Sequence, residues 1–217
     1  MDSFVQNTGA TARRSTVVAY AFVVILAGSS WAQEQQSVDE LVKNLRGSDV
    51  NLRRIAAYSL DQLGPAAKDA VPALIEALDD RDRQVWSYSI SALANIGPGA
   101  LEAVPKLIRG MERRDRQVWY RSAYTLGRIG PEAIPPLRVA LQSAEPSVRS
   151  GAAKAIGWMG AASEPAVGDL VRLLDDPTEE VRHEASEALA HAGAAALSSL
   201  EAAAASGSAR SRVAAIL

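Results

Sequence analysis

The stretch Asp80 to Gly97, DRDRQVWSYSISALANIG, returns at Arg113 to Gly130 as RRDRQVWYRSAYTLGRIG, and this duplication limits the fold more than any other feature of the chain. Weaker copies flank it: GSDVNLRRIAAYSLDQLG from Gly47, SAEPSVRSGAAKAIGWMG from Ser143 and DPTEEVRHEASEALAHAG from Asp176. A unit of roughly 33 residues is too small to bury its apolar faces alone, so such units stack and share one continuous core.

Each unit holds two helical patterns. The first starts at Val38, Val71, Val104, Ile134, Val167 and Leu197, with apolar residues at 0, +3, +4 and +7 that predict a helix of nearly three turns. Pro72, Pro105 and Pro135 follow the leading residue, where a first helical turn tolerates a missing N–H. The second pattern starts at Leu52, Val85, Val118, Val148 and Val181, with apolar or small residues at 0, +4, +7, +8 and +11. Asp49, Asp82, Asp115 and Glu145 stand three residues ahead, placed to cap the helix. Gly64, Gly97, Gly130, Gly160 and Gly193 close each one, where a left-handed residue is expected, and Pro65, Pro98 and Pro131 should stop any continuation. Second-helix starts are spaced by 33, 33, 30 and 33 residues, because the link from Gly130 to Ile134 is shorter, and a tighter step is expected there.

Residues 1–32 stand outside this pattern. Arg13 and Arg14 precede an apolar run, Thr16 to Ala27, and then Gly28-Ser29-Ser30-Trp31-Ala32, the layout of a secretory signal peptide cleaved after Ala32. The run is short for a membrane span of roughly 20 residues, and an uncleaved anchor is the alternative. The expected organisation is a leader over 1–32, a linker over 33–37, and a repeat domain over 38–217 with five full repeats and a partial sixth. Export predicts a periplasmic or extracellular protein whose only membrane contact is an uncleaved leader. The chain has no cysteine, which excludes disulfides, thiol catalysis and cysteine-ligated zinc. A net charge of −2 offers nothing basic enough to imply a nucleic-acid partner.

The frame Asp176-Pro177, Val181-Arg182, Ala185, Ala188-Leu189 and Gly193 resembles the HEAT repeat, in particular the short repeats of the phycobilisome-lyase group. The resemblance covers residues 38–217 and implies an all-α fold, an α-solenoid of stacked antiparallel helix pairs in a right-handed superhelix, with the second helices on the concave side. The family's Asp and Arg ladder, followed within each repeat, looks broken. Only the fifth repeat has both Asp176 and Arg182; Asp80 stands with Trp86, Arg113 with Trp119, and Arg53 and Arg149 lack aspartates. Aromatic packing is expected in place of polar stitching. Trp86 and Trp119 are then either inter-repeat packing groups or an exposed platform for a ligand.

Positions +2, +6 and +10 of the second helices fall on one face. They read Arg54, Tyr58, Gln62; Ser87, Ser91, Asn95; Tyr120, Tyr124, Arg128; Ser150, Lys154, Trp158; and His183, Glu187, His191. Tyrosine, tryptophan and arginine dominate binding hot spots. Tyr58, Tyr120, Tyr124, Arg128, Lys154 and Trp158 are therefore the candidate residues for binding a protein partner, unless they are only a solvated helix surface. His183, Glu187 and His191 span roughly 12 Å of helix, too far for all three to grip one ion, and no metal or other cofactor is expected. His183-Glu184 resembles the His-Glu motif of deoxyhypusine hydroxylase, but the matching pairs in the other repeats are Arg54-Ile55, Ser87-Tyr88, Tyr120-Arg121 and Ser150-Gly151. A non-catalytic scaffold is the reading the residues favour. The alternative is an enzyme or enzyme accessory, bilin-lyase-like or a degenerate His-Glu metalloprotein.

Overall fold

The computed structural model describes residues 37–112 and 115–206, with side chains up to position 202. The leader, most of the linker, Arg113 and the end of the sixth repeat lie outside the described residues. The compact unit starts at Val38. It contains α1 (Val38–Leu45), α2 (Val50–Leu63), α3 (Val71–Ala77), α4 (Arg83–Ile96), α5 (Val104–Gly110), α6 (Arg116–Ile129), α7 (Ile134–Ala140), α8 (Pro146–Gly157), α9 (Val167–Leu173), α10 (Glu179–Ala192) and α11 (Leu197–Ser206). Short 3-10 helices link the repeats, and no strand occurs among the described residues. None of the described helices is long and apolar enough to cross a membrane.

The second helices begin two residues before the first apolar position. Asp49, Asp82 and Asp115 account for this: each carboxylate accepts from the N–H groups two and three residues on, so the helix starts immediately after its cap. Glu145 does not cap. Its longer side chain is a poor fit for that role, Pro146 removes one of the donors, and the Glu145 N–H instead donates to Ser143 Oγ. The first helices are shorter than expected, with about two α-turns each; the remaining turn tightens to i to i−3 bonds such as Asp79 N–H to the Glu76 carbonyl at 3.1 Å.

The closing glycines all have positive φ, between 53° and 93°, but Gly64, Gly97, Gly130 and Gly193 are not left-handed helical. Where ψ is recorded it runs from −129° to −160°, a region that essentially only glycine reaches. The chain therefore turns at the glycine without stopping. Pro65 and Pro98 then stand in the first turn of a seven-residue 3-10 helix, whereas Pro131 opens one of only three residues. The shorter link carries the most distorted glycine, Gly130 at φ 93° and ψ −160°.

The core is a seam running the length of the array. Leu41, Leu60, Leu74, Ile90, Leu93, Leu107, Leu126, Leu137 and Ile156 are fully buried along it. Each such side chain removed from water contributes roughly 2 kcal/mol gross. The polar ladder was misread when followed within single repeats, because it runs between neighbours. Arg53 pairs with Asp80 of the next repeat at 2.7 Å, and Arg149 pairs with Asp176 of the next at 2.8 Å. Each arginine also donates to two carbonyls in its own turn, Gly47 and Ser48 or Ser143 and Ala144.

The two junctions whose next repeat offers no aspartate carry tryptophan instead. Trp119 donates from Nε1 to the Ser147 carbonyl at 2.7 Å and lies over Gly151, where a Cβ would stand 3.0 Å from the indole nitrogen. Trp86 and Trp119 are only 9% and 7% exposed, so both pack between repeats and neither is an exposed platform.

Candidate protein-docking site

The exposed face of α6 and the end of α8 carry the one three-ring aromatic group among the described residues. Asp115 and Gly130 fix the two ends of α6, which sets Tyr120 and Tyr124 one turn apart on the same face. Trp158 caps the C-terminus of α8 and lies between them. Its ring centroid is 5.6 Å from Tyr120 and 5.7 Å from Tyr124, with interplanar angles of 81° and 76°. Both contacts are edge-to-face, the arrangement that ring quadrupoles favour. All three rings keep a third to a half of their surface in water.

Gly127 makes this possible. A Cβ there would come within 3.1 Å of Trp158 Cβ and 3.2 Å of the Ala155 carbonyl oxygen, so only a bare backbone lets the tryptophan lie flat against α6. Lys154 completes the cluster, with Nζ 5.5 Å from the Trp158 ring centroid. Its ammonium is held by the buried Glu184 at 2.8 Å, with Glu187 at 3.8 Å. The cation is thus fixed over the ring by a carboxylate from the next repeat, and the patch is pre-organised on rigid helices.

Four of the six residues singled out from the sequence, Tyr120, Tyr124, Lys154 and Trp158, come together in this cluster. Tyr58 does not. It belongs to a separate edge-to-face pair with Tyr88, at 5.3 Å and 72°, between the first and second repeats. Arg128 is exposed on the same helix face as the tyrosines but has no ring or ion-pair partner among the described residues. Tyr88 and Gly127 escaped the column reading because neither occupies +2, +6 or +10. A glycine one residue before Arg128, facing a tryptophan in the next repeat, was the available signal for the second.

Arg54 is engaged elsewhere: it forms a bidentate pair with Asp82 at 2.5 and 3.0 Å. That hydrogen bond, the capping N–H groups and the guanidinium charge outweigh burial and hold the Asp82 carboxyl far below the ordinary range. His183 Nε2 stands 3.4 Å from Glu187 Oε1, and Glu184 of the His-Glu dipeptide is committed to Lys154. No group of three His, Asp or Glu side chains is arranged as a metal site among the described residues.

This architecture, paired helices repeated along a shared core with partners exchanged between neighbours, defines a helical repeat protein. The HEAT-repeat model matches residues 38–123 and 104–190, and the chain belongs to that family. Comparison with curated proteins gives no significant match. Among solved structures, one described as the structural basis of microtubule plus-end tracking by XMAP215, CLIP-170 and EB1 aligns with a TM-score of 0.60 at 18% identity, covering 76% of this chain and 83% of that one. An engineered protein aligns with a TM-score of 0.50 at 27% identity, over 78% and 51% of the two chains. The complex of CpcE and CpcF of phycocyanin lyase from Nostoc sp. PCC7120 aligns with a TM-score of 0.49 at 25% identity, over 73% and 65%.

Proposed function

We propose that this HEAT-repeat array is an exported, non-catalytic scaffold that binds a protein partner, and that the partner is anchored on Tyr120, Tyr124 and Trp158. The observation that carries the reading is the exposed three-ring cluster held by Gly127, Lys154 and Glu184. Rings already locked against one another lose little freedom on binding, so more of the contact energy appears as affinity. Contiguous aromatic surface on a rigid wall suits an apolar or proline-containing segment of another protein.

The experiment is capture from the cell envelope of the source organism with the chain starting at Gln33, comparing the unaltered protein with Trp158→Ala. One partner should be retained by the first and lost with the second, while Tyr58→Ala, in the separate ring pair, retains it. Equal capture by Trp158→Ala and the unaltered protein would remove the cluster from the proposal. Export is tested by N-terminal sequencing of the protein from its host, expected to begin at Gln33. An intact Met1 in the cytoplasm would refute it.

A further inference from the structure

The four complete junctions between repeats are not closed alike. An arginine plugs the first and the fourth through its bond to the next aspartate, and Trp119 plugs the third by its bond to Ser147. Among the described residues, the second junction, between α4 and α6, has neither. Trp86 stands at the plugging position, yet its indole N–H has no hydrogen-bond partner among the described residues, and a cleft of about 470 Å³ opens beside it.

The cleft has an apolar wall made by Trp86, Ile90, Leu107 and Val118, and Ser122 also lines it. Ser122 is 2% exposed, and its hydroxyl, like the Trp86 indole, makes no hydrogen bond among the described residues. Where Gly110 passes, a Cβ would lie 2.5 Å from Ser122 Oγ, so α5 presses close and leaves the hydroxyl facing the cleft rather than a backbone acceptor. Neither atom is sealed from water, unlike Ser89 Oγ and Ser163 Oγ, so both open on the cleft and can exchange water for an acceptor placed there. The rim carries Lys106 bonded to Asp79, with Arg109 and Glu112. An ionised group inside the cleft would have to be desolvated.

We infer that this junction is a binding site for a neutral small molecule with an aromatic or branched apolar body and one carbonyl acceptor, seated against Trp86 with its oxygen accepting from Ser122 or the Trp86 indole. The volume lies within the range of ordinary small-molecule sites. This site is independent of the aromatic cluster on α6 and α8.

Benzamide is the probe, titrated into the repeat protein and followed through the tryptophan indole N–H resonances by NMR, with Trp86 assigned as the signal lost in Trp86→Phe. Benzamide should move the Trp86 signal and leave that of Trp158 in place. Ser122→Ala should weaken the interaction about three- to tenfold, the worth of one hydrogen bond, without unfolding the protein, since the hydroxyl has no partner to lose. Ethylbenzene, which lacks the acceptor, and benzoate, which is charged, should both bind more weakly. An unmoved Trp86 signal up to the solubility of benzamide, equal affinity in Ser122→Ala, or tighter binding of benzoate would each overturn the inference.

Discussion

Replacing Arg149 by methionine tests how the repeats are held together. The guanidinium meets Asp176 of the next repeat through two bonds, at 2.8 and 2.9 Å, and meets the Ser143 and Ala144 carbonyls at 2.9 and 3.0 Å. Methionine keeps the apolar stem but strands Asp176, whose side chain is only 5% exposed, with Thr178 as its remaining donor. Breaking a fully buried pair costs about 3–5 kcal/mol because a charge is left uncompensated. The arginine side chain here retains 12% exposure, which trims the expected cost to about 2–3 kcal/mol. For a chain of this size that corresponds to a fall of about 5–10 °C in melting temperature, measured by circular dichroism. Since a repeat array is held by nearest-neighbour interfaces, amide exchange should accelerate in α8 and α10 more than in α2. Arg46→Met, at a pair whose side chains are 49% and 58% exposed, should leave the melt nearly unchanged. An Arg149→Met protein that melts within 1 °C or so of the parent would refute the inter-repeat ladder as a source of stability.

Three further outcomes follow from the same contacts. Burial pushes the Asp176 carboxyl upward, but the Arg149 hydrogen bond, the Thr178 N–H and the guanidinium charge together hold it below its ordinary value; its contribution is therefore complete above about pH 4 and lost as pH falls through the depressed pKa. Denaturant midpoints should drop on acidification below about pH 4, and drop less in Arg149→Met than in the parent. Gly151→Ala would place a methyl 2.4 Å from Met111 Sδ and 3.0 Å from Trp119 Nε1, so it should destabilise by about 1–3 kcal/mol in urea titrations despite alanine's better helix propensity. Ser89→Ala removes a buried hydroxyl that has no partner, at a position where the first, fourth and fifth repeats already have alanine, and should raise stability by about 1 kcal/mol in the same assay.

The fold was legible because each repeat spells the same helix starts, stops and apolar faces, so an error in one copy is corrected by the others. Caps at Asp49, Asp82 and Asp115 and the turns at the five glycines follow from local chemistry. The ladder was harder to read because its partners lie 27 residues apart in the chain and in different repeats. Read across the junctions, Arg53 matches Asp80 and Arg149 matches Asp176, while Trp86 and Trp119 precede repeats whose matching residues are Arg113 and Ser143. Tyr120, Tyr124, Lys154 and Trp158 could be placed on one face from helical spacing alone. That Trp158 inserts between the tyrosines could not, because this depends on the step between repeats and on the missing side chain of Gly127. Arg128 shares the spacing but not the cluster, since its long side chain is free to extend into solvent at the end of α6.

The affinity of the captured partner for Tyr124→Ala, measured beside the melting temperature of the same protein, tests the docking site most directly. Tyr124 is 45% exposed and packs on Trp158 rather than in the core, so its removal should cost roughly 2 kcal/mol or more of binding, about thirtyfold in Kd, with little change in helical content or melting temperature. A Tyr124→Ala protein that unfolds, while its folded fraction binds the partner with unchanged Kd, would contradict the account and return the tyrosine to a structural role.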